Sequence, residues 1–166
     1  MAQIPRILKN FSLFVDGRGL AGLIETLTLP TIALKMEEFR GGGMDAPVEH
    51  DMGMEKLEGT FQLQEYSPDI MALLGQANVQ LTARGAIRRD GEDAVAVVVN
   101  MTGMVKQVEP GDWKAGESSM PTFSFTLRYY KLTVDGREIM EIDKVNMVRR
   151  VNGVDQLADI RTAIGA

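Results

Sequence analysis

The sequence predicts a mainly β domain: an antiparallel β-sandwich or barrel with one flanking helix and a C-terminal helix. Three observations lead there. Apolar residues recur at every second position in several separate runs, the period of a strand with one buried and one wetted face. Asp-Gly pairs at Asp16–Gly17, Asp90–Gly91 and Asp135–Gly136 separate strand-like runs, and this pair suits tight hairpins whose central residues need positive φ. Helix punctuation appears at two places only, Ser67–Gly75 and the tail before Gly165.

The elements follow in order. Ile32, Leu34 and Met36 alternate with Ala33, Lys35 and Glu37, which predicts a strand over Thr31–Phe39. Leu57, Phe61 and Leu63 alternate with Glu58, Thr60, Gln62 and Gln64, a second strand within Met54–Tyr66. Ser67-Pro68-Asp69 opens a helix: Ser can cap, Pro suits the first helical position, and Asp opposes the positive helix end. Ile70, Leu73 and Leu74 form its apolar stripe and Gly75 stops it. Val79, Leu81, Ala83 and Ile87 restore period two, as do Phe123, Phe125 and Leu127. Val95–Val99 is apolar throughout, the pattern of a strand covered on both faces. A second helix is expected from about Asp155, with Leu157, Ile160 and Ile164 on one face and Gly165 at its end.

Length and composition set the bounds. With 166 residues, 45% hydrophobic and 25% charged, residues 1–166 read as a single domain able to build a core without staples. Cysteine is absent, which excludes disulfides and thiolate chemistry. The formal net charge is −5 with no block of Lys and Arg, so a sequence-independent grip on nucleic acid is not expected. The opening MAQIPRILKNFSLF reads as neither a signal peptide nor a membrane anchor.

The segment 40–55 has neither period and is expected as a long inter-strand loop. It contains GGGMDAPVEHDMG over Gly41–Gly53. A phosphate loop would need a Gly-Lys-Ser/Thr ending, and acids stand where the anion would bind. Asp45, Glu49, His50 and Asp51 offer metal-ligand atoms, but His50 is the only histidine and the spacing matches no calcium loop. No metal and no cofactor are therefore expected. No serine lies in a GxSxG setting and nothing singles out a carboxylate pair, so the chain does not read as an enzyme. A metal-dependent hydrolase and a small-molecule-binding barrel are the rival classes. The second would concentrate aromatics around a pocket, whereas here they make up 6% and are scattered. Trp113, in VEPGDWKAGE, reads either as an interface anchor or as a half-buried loop pin. The 11 methionines read as core filling or as a surface that repacks against a partner.

GGGMDAPVEHDMGME, VEPGDWKAGE, YYKLTVDGREIMEID and VNGVDQLA occur in this order, and together they resemble the major tail tube protein of contractile phage tails and R-type pyocins. The resemblance runs from Asn10–Gly17 to Val154–Arg161 and is weakest over Arg84–Val99. It implies a structural protein with a ring-forming tail-tube fold. It further implies homohexameric rings, stacked helically into a rigid tube within a contractile sheath. The implied partners are further copies of itself, the sheath protein, the tape-measure protein, the baseplate hub and the tail terminator. In a phage, DNA would pass through the lumen without specific binding; in a pyocin, the tube would breach the target envelope. The expected location is the tail of a virion or tailocin, assembled in the bacterial cytoplasm. A secretion-system tube ring protein is the alternative in the same structural class.

Within that reading, Arg40–Glu55 is expected to be an inter-ring arm, flexible in the lone subunit. Gly41, Gly42 and Gly43 would give freedom, and Met44, Pro47, Val48 and Met52 apolar purchase. Arg40, Asp45 and Ala46 complete the expected contact on the arm. Trp113, Leu157 and Ile160 are the expected interface residues elsewhere. Whether the tail helix packs on its own sheet or on a neighbour is left open by the sequence.

Overall fold

The computed structural model describes residues 1–166, and antiparallel strands dominate it. The chain runs through β1 (Ile7–Val15), β2 (Arg18–Gly19) and β3 (Ile24–Thr28), then β4 (Leu34–Phe39), β5 (Val48–Met54) and β6 (Glu58–Leu63). After the one-turn helix α1 (Pro68–Met71) come the long strands β7 (Val79–Arg88), β8 (Val95–Glu109) and β9 (Thr122–Val134). β10 (Arg137–Asp143), β11 (Val148–Val151), β12 (Val154–Asp155) and helix α2 (Ala158–Ile164) complete it.

Ten strands form one sheet with the path β12-β11-β10-β9-β8-β7-β1-β2, while β4 and β5 pair only with each other. Strand β9 is the fork of the large sheet. One of its edges stays on β8, while the other pairs β6 over Thr122–Thr126 and β10 over Tyr129–Val134. β6 in turn carries β3. The sheet curls so that the free edges of β1 and β3 face each other across a cleft of about 420 Å³ lined by Leu8, Phe11, Leu27, Leu29 and Ile87.

The inward positions of the alternating runs make the core. Phe61 stacks on Phe123 at 4.9 Å and meets Phe125 at 6.2 Å, and all three are buried. Leu13, Leu81, Met101 and Tyr130 continue the core along β1, β7, β8 and β9. Each such side chain contributes about 1.5–3 kcal/mol by leaving water. Two glycines are required by close approach. At Gly103 a Cβ would overlap the Thr126 carbonyl oxygen, and at Gly59 it would strike the Phe125 ring and the Thr28 carbonyl.

Turn chemistry explains the tight hairpins. Asp16 (φ 47°) and Gly17 (81°), like Asp135 (53°) and Gly136 (72°), are left-handed at both central positions. Asp90–Gly91 differs: only Gly91 has positive φ, and the connection between Arg88 and Val95 is longer than a two-residue turn. Asn152–Gly153, with φ of 52° and 80°, makes the tight turn between β11 and β12.

Several expected boundaries are corrected. The strand expected over Thr31–Phe39 begins at Leu34 and buries neither face; Leu34 and Met36 are 40% and 43% exposed. The expected loop 40–55 is half strand, since β5 pairs with β4 from Val48 to Met54. Its period is invisible to hydropathy because β5 has no core face to mark with apolar residues. The strand expected over Met54–Tyr66 shrinks to Glu58–Leu63. The first helix ends at Met71 and leaves Leu74 exposed. The tail helix starts at Ala158, because Asp155 is held in β12 opposite Arg150.

Candidate assembly interface

The β4–β5 hairpin stands apart from the large sheet. Every residue of β4 is exposed, and in β5 only Met54 is partly covered. Its register sets Met36 opposite Asp51, Glu37 opposite His50, Glu38 opposite Glu49, and Phe39 opposite Val48. Strand pairing places Glu37, Phe39, Val48 and His50 on one face, with Phe39 and His50 rings 6.0 Å apart. Met36, Glu38, Glu49 and Asp51 share the other. A two-stranded sheet with neither face covered is marginal in water, and like charges directly opposite, as at Glu38 and Glu49, weaken it further.

Local contacts order both ends of the hairpin. At the tip, the Met44 amide donates to the Gly41 carbonyl at 3.3 Å and Arg40 Nε donates to the Met44 carbonyl at 3.2 Å. The Gly41 amide points at the Met44 sulfur at 3.2 Å, and Gly43 adopts φ 82°. The expected freely flexible glycine arm is thus a formed turn on paired strands. At the root, Asp51 Oδ2 accepts from Arg149 Nη2 at 2.6 Å. Arg149 is the one charged residue in the buried set, 8% exposed, and its Nε donates to Gln156 at 2.9 Å. The Arg149 hydrogen bond, followed by the Gly53 amide, holds the Asp51 carboxyl below its ordinary range. The ion pair therefore couples the hairpin to β11.

The other expected interface residues lie on separate elements. Trp113 is 80% exposed, yet its Nε1 donates to Tyr66 Oη at 2.5 Å and its ring meets Tyr66 edge-on at 6.2 Å. Tyr66 in turn donates to the Pro110 carbonyl at 3.0 Å. The indole is pinned by its polar edge and presents its apolar faces to solvent. Leu157 is half-buried ahead of α2, whereas Ile160 and Ile164 point outward at 48% and 61% exposure. Asp155 pairs with Arg161 at 2.8 Å and fixes the start of the helix. That hydrogen bond and the Leu157 amide hold the Asp155 carboxyl low.

The outer face of the large sheet is a further surface. Register aligns Gln80, Thr102, Tyr129 and Asp143 in one row, then Thr82, Asn100, Lys131, Glu141 and Arg150 in the next. Arg84, Val98, Thr133 and Glu138 make a third. Its charges pair internally: Arg150 with Glu141 at 2.6 Å and Glu138 at 3.6 Å, and Lys131 with Glu138 at 3.9 Å. Burial and the hydrogen bond to Glu141 push the Tyr129 hydroxyl up to about 12. The alternation of Val79, Leu81 and Ala83 with Gln80, Thr82 and Arg84 marks one polar strand face in the sequence. The strands beside it are not legible there, because pairings between distant strands are not written locally.

A wide polar sheet, an uncovered hairpin and apolar residues left outside the core define a protein built to be one piece of a larger assembly. Known folds agree. The chain is similar to the sheath/tube terminator of an extracellular contractile injection system, with a TM-score of 0.62 and 10% identity over 80% of this chain and 99% of that one. It is also similar to a chain of the sheath–tube complex of that type of system, with a TM-score of 0.61 and 11% identity over 78% and 91%. Residues 5–165 match the family described as phage tail tube protein FII, and the chain belongs to that family of structural tail proteins. It is 34% identical to the tail tube protein of Escherichia phage P2, over 98% of each chain. It is 30% identical to the major tail tube protein of Serratia phage KSP20, over 98% of this chain and 97% of that one.

Proposed function

We propose that this chain forms homohexameric rings that stack helically into the inner tube of a contractile tail. The observation that carries this reading is the β4–β5 sheet, a folded element with two uncovered faces whose cover must come from another molecule. The hairpin serves as the contact between rings. Ordering a segment on stacking costs about 1–2 kcal/mol per residue fixed. Because β4 and β5 are already paired in the subunit, most of that cost falls on side chains and on motion of the whole hairpin.

Contact within a ring uses free strand edges. β2 covers β1 only at Phe14 and Val15, so the rest of β1 and all of β3 offer unpaired backbone beside an apolar cleft. Such edges invite pairing with another chain, and a heterologous contact closes into a ring when its rotation permits. The α2 face bearing Ile160 and Ile164 lies on a neighbour in this arrangement.

The polar outer sheet lines the lumen. In the three aligned rows Lys131 and Arg150 are already paired to carboxylates, which leaves Arg84, and Arg88 further along the same face of β7, as cations without an ion pair. A wall of this kind holds DNA weakly, because retention of a polyanion depends on free cations at the phosphates. The sheath, the baseplate hub, the tail terminator and the tape-measure protein are the partners in this reading. Two structurally similar proteins come from a sheath/tube terminator and a sheath–tube complex, which supports the first and third. A passage for DNA is the function in a phage, and penetration of a target envelope in a tailocin.

Electron microscopy of the purified protein over a concentration series tests the proposal. Stacked rings of uniform diameter are expected. A protein that stays monomeric at high concentration and is absent from tail particles overturns it. The hairpin's role is tested by replacing Phe39–Val48 with Asn-Gly, which joins Glu38 to Glu49 through a two-residue turn and spares Asp51. The subunit is expected to fold and the tubes to disappear.

A further inference from the structure

The distal half of the hairpin is acidic and unsatisfied. Glu37, Glu38, Asp45 and Glu49 stand against Arg40 alone, and none of the four carboxylates lies in an ion pair, unlike Asp51 at the root. The surface around the root has the opposite character. There a cleft of about 350 Å³ is lined by Lys56, Lys144 and Arg149 together with Met54, Val148 and Leu157. Lys56 and Lys144 make no ion pair, and Lys106 beside them is bound to Glu58 at 2.7 Å. Asp143, the acid on the cleft wall, is occupied by its own turn: it accepts from the Asn146 amide at 3.0 Å and the Val145 amide at 3.1 Å. Burial pushes the Lys144 ammonium down, and Glu58 opposes that only through space. The cleft thus holds free cations beside apolar wall, and the tip holds the free carboxylates of Glu38 and Glu49 on one face and exposed Phe39 and Val48 on the other.

We propose that the hairpin tip of one copy enters the root cleft of the next, with its Glu38–Glu49 face towards Lys56 and Lys144 and its opposite face, bearing Phe39 and Val48, on the apolar wall. The proposal rests on the tube reading and names the receiving surface within it. The occupant is a second copy of this chain, because both halves of the match are present on one molecule. The two surfaces lie at opposite ends of one hairpin, roughly 20 Å apart for six extended residues. The contact is therefore heterologous, each copy offering a tip and a socket, and repetition runs along the hairpin direction. A heterologous contact that does not return on itself propagates as an open stack. The like-charge opposition of Glu38 and Glu49 weakens the free hairpin and is relieved once cations lie against it.

Two double variants test the match. Glu38→Lys with Glu49→Lys gives a basic tip above a basic socket. Lys56→Glu with Lys144→Glu gives an acidic socket below an acidic tip. Each alone is expected to raise the concentration needed for tube growth by about a hundredfold, since facing like charges cost several kcal/mol. An equimolar mixture is expected to regain tubes, because each variant's tip suits the other's socket. Circular dichroism and melting of each variant, expected to stay close to the parent, separate lost docking from lost folding. If both variants form tubes as the parent does, or if both fold and their mixture still forms none, the proposal is overturned. The tube reading is judged apart from this: loss of tubes on replacing Phe39–Val48, with charge variants that assemble normally, keeps the hairpin as the arm and rejects this socket.

Discussion

The large sheet and the β4–β5 hairpin are built from the same strand geometry, yet they hold together for different reasons. In the sheet, β9 is paired on both edges along most of its length and its inward side chains are buried with Phe61, Phe123 and Phe125. In the hairpin, strand pairing is joined only by the turn at the tip and by one ion pair at the root, in which Arg149 is buried and Asp51 is exposed. The first is stable by its own hydrophobic burial. The second is a pre-shaped element that the core does little to hold.

The contrast can be broken from either side. Phe61→Ala empties the stacked aromatic centre and is expected to cost about 3–5 kcal/mol, seen as a large fall in melting temperature. Gly103→Ala drives a methyl into the β9 backbone and is expected to cost about 1–3 kcal/mol as β8 and β9 shift apart. Neither effect should appear when hairpin residues 39–48 are replaced.

A finer probe is amide hydrogen exchange. The amides of β4 and β5 are expected to exchange far sooner than those of β7, β8 and β9. Asp51→Asn should speed exchange in the hairpin and leave the core amides unchanged. Acid should act on the same link. Asp51 and Asp155 have carboxyls held below the ordinary value of 3.8. Their stabilisation is present above that value and is lost as pH falls through the lower folded values. Below about pH 3.8 the hairpin root and the α2 start are therefore expected to loosen before the core melts, read by exchange or by proteolysis. In base the polar sheet responds instead. Tyr129 ionises late, at about 12 against an ordinary 10.0, so the stability it contributes declines between those values, measurable by ultraviolet titration. The smallest effect on folding is expected from Trp113→Ala, within about 0.5 kcal/mol for an exposed ring. Its effect on assembly should be much larger if the indole anchors a neighbour.

Legibility followed burial in the large sheet, whereas β4 showed the strand period with neither face buried. The strands around Phe61, Leu81 and Phe125 were readable because one face is dry and the other wet, and the Asp-Gly turns at Asp16 and Asp135 because both residues adopt positive φ. Strand β5 was missed because neither of its faces is dry. The expected contact residues Arg40–Val48 and Met52 do gather on one hairpin, but Trp113 and α2 are separate surfaces. The counter-charges of Arg149 and Asp51 lie 98 residues apart, and no local pattern links them.

By itself the sequence determined the sheet-forming runs, the tight turns and the family, since these depend on neighbours a few residues apart or on motifs in order. Only the tertiary structure decided that β9 forks the sheet, that the glycine-rich stretch stands on a paired strand, and that free acids and free lysines occupy opposite ends of one hairpin. Those facts depend on which distant strands meet, and that is settled by closing long loops around a shared core.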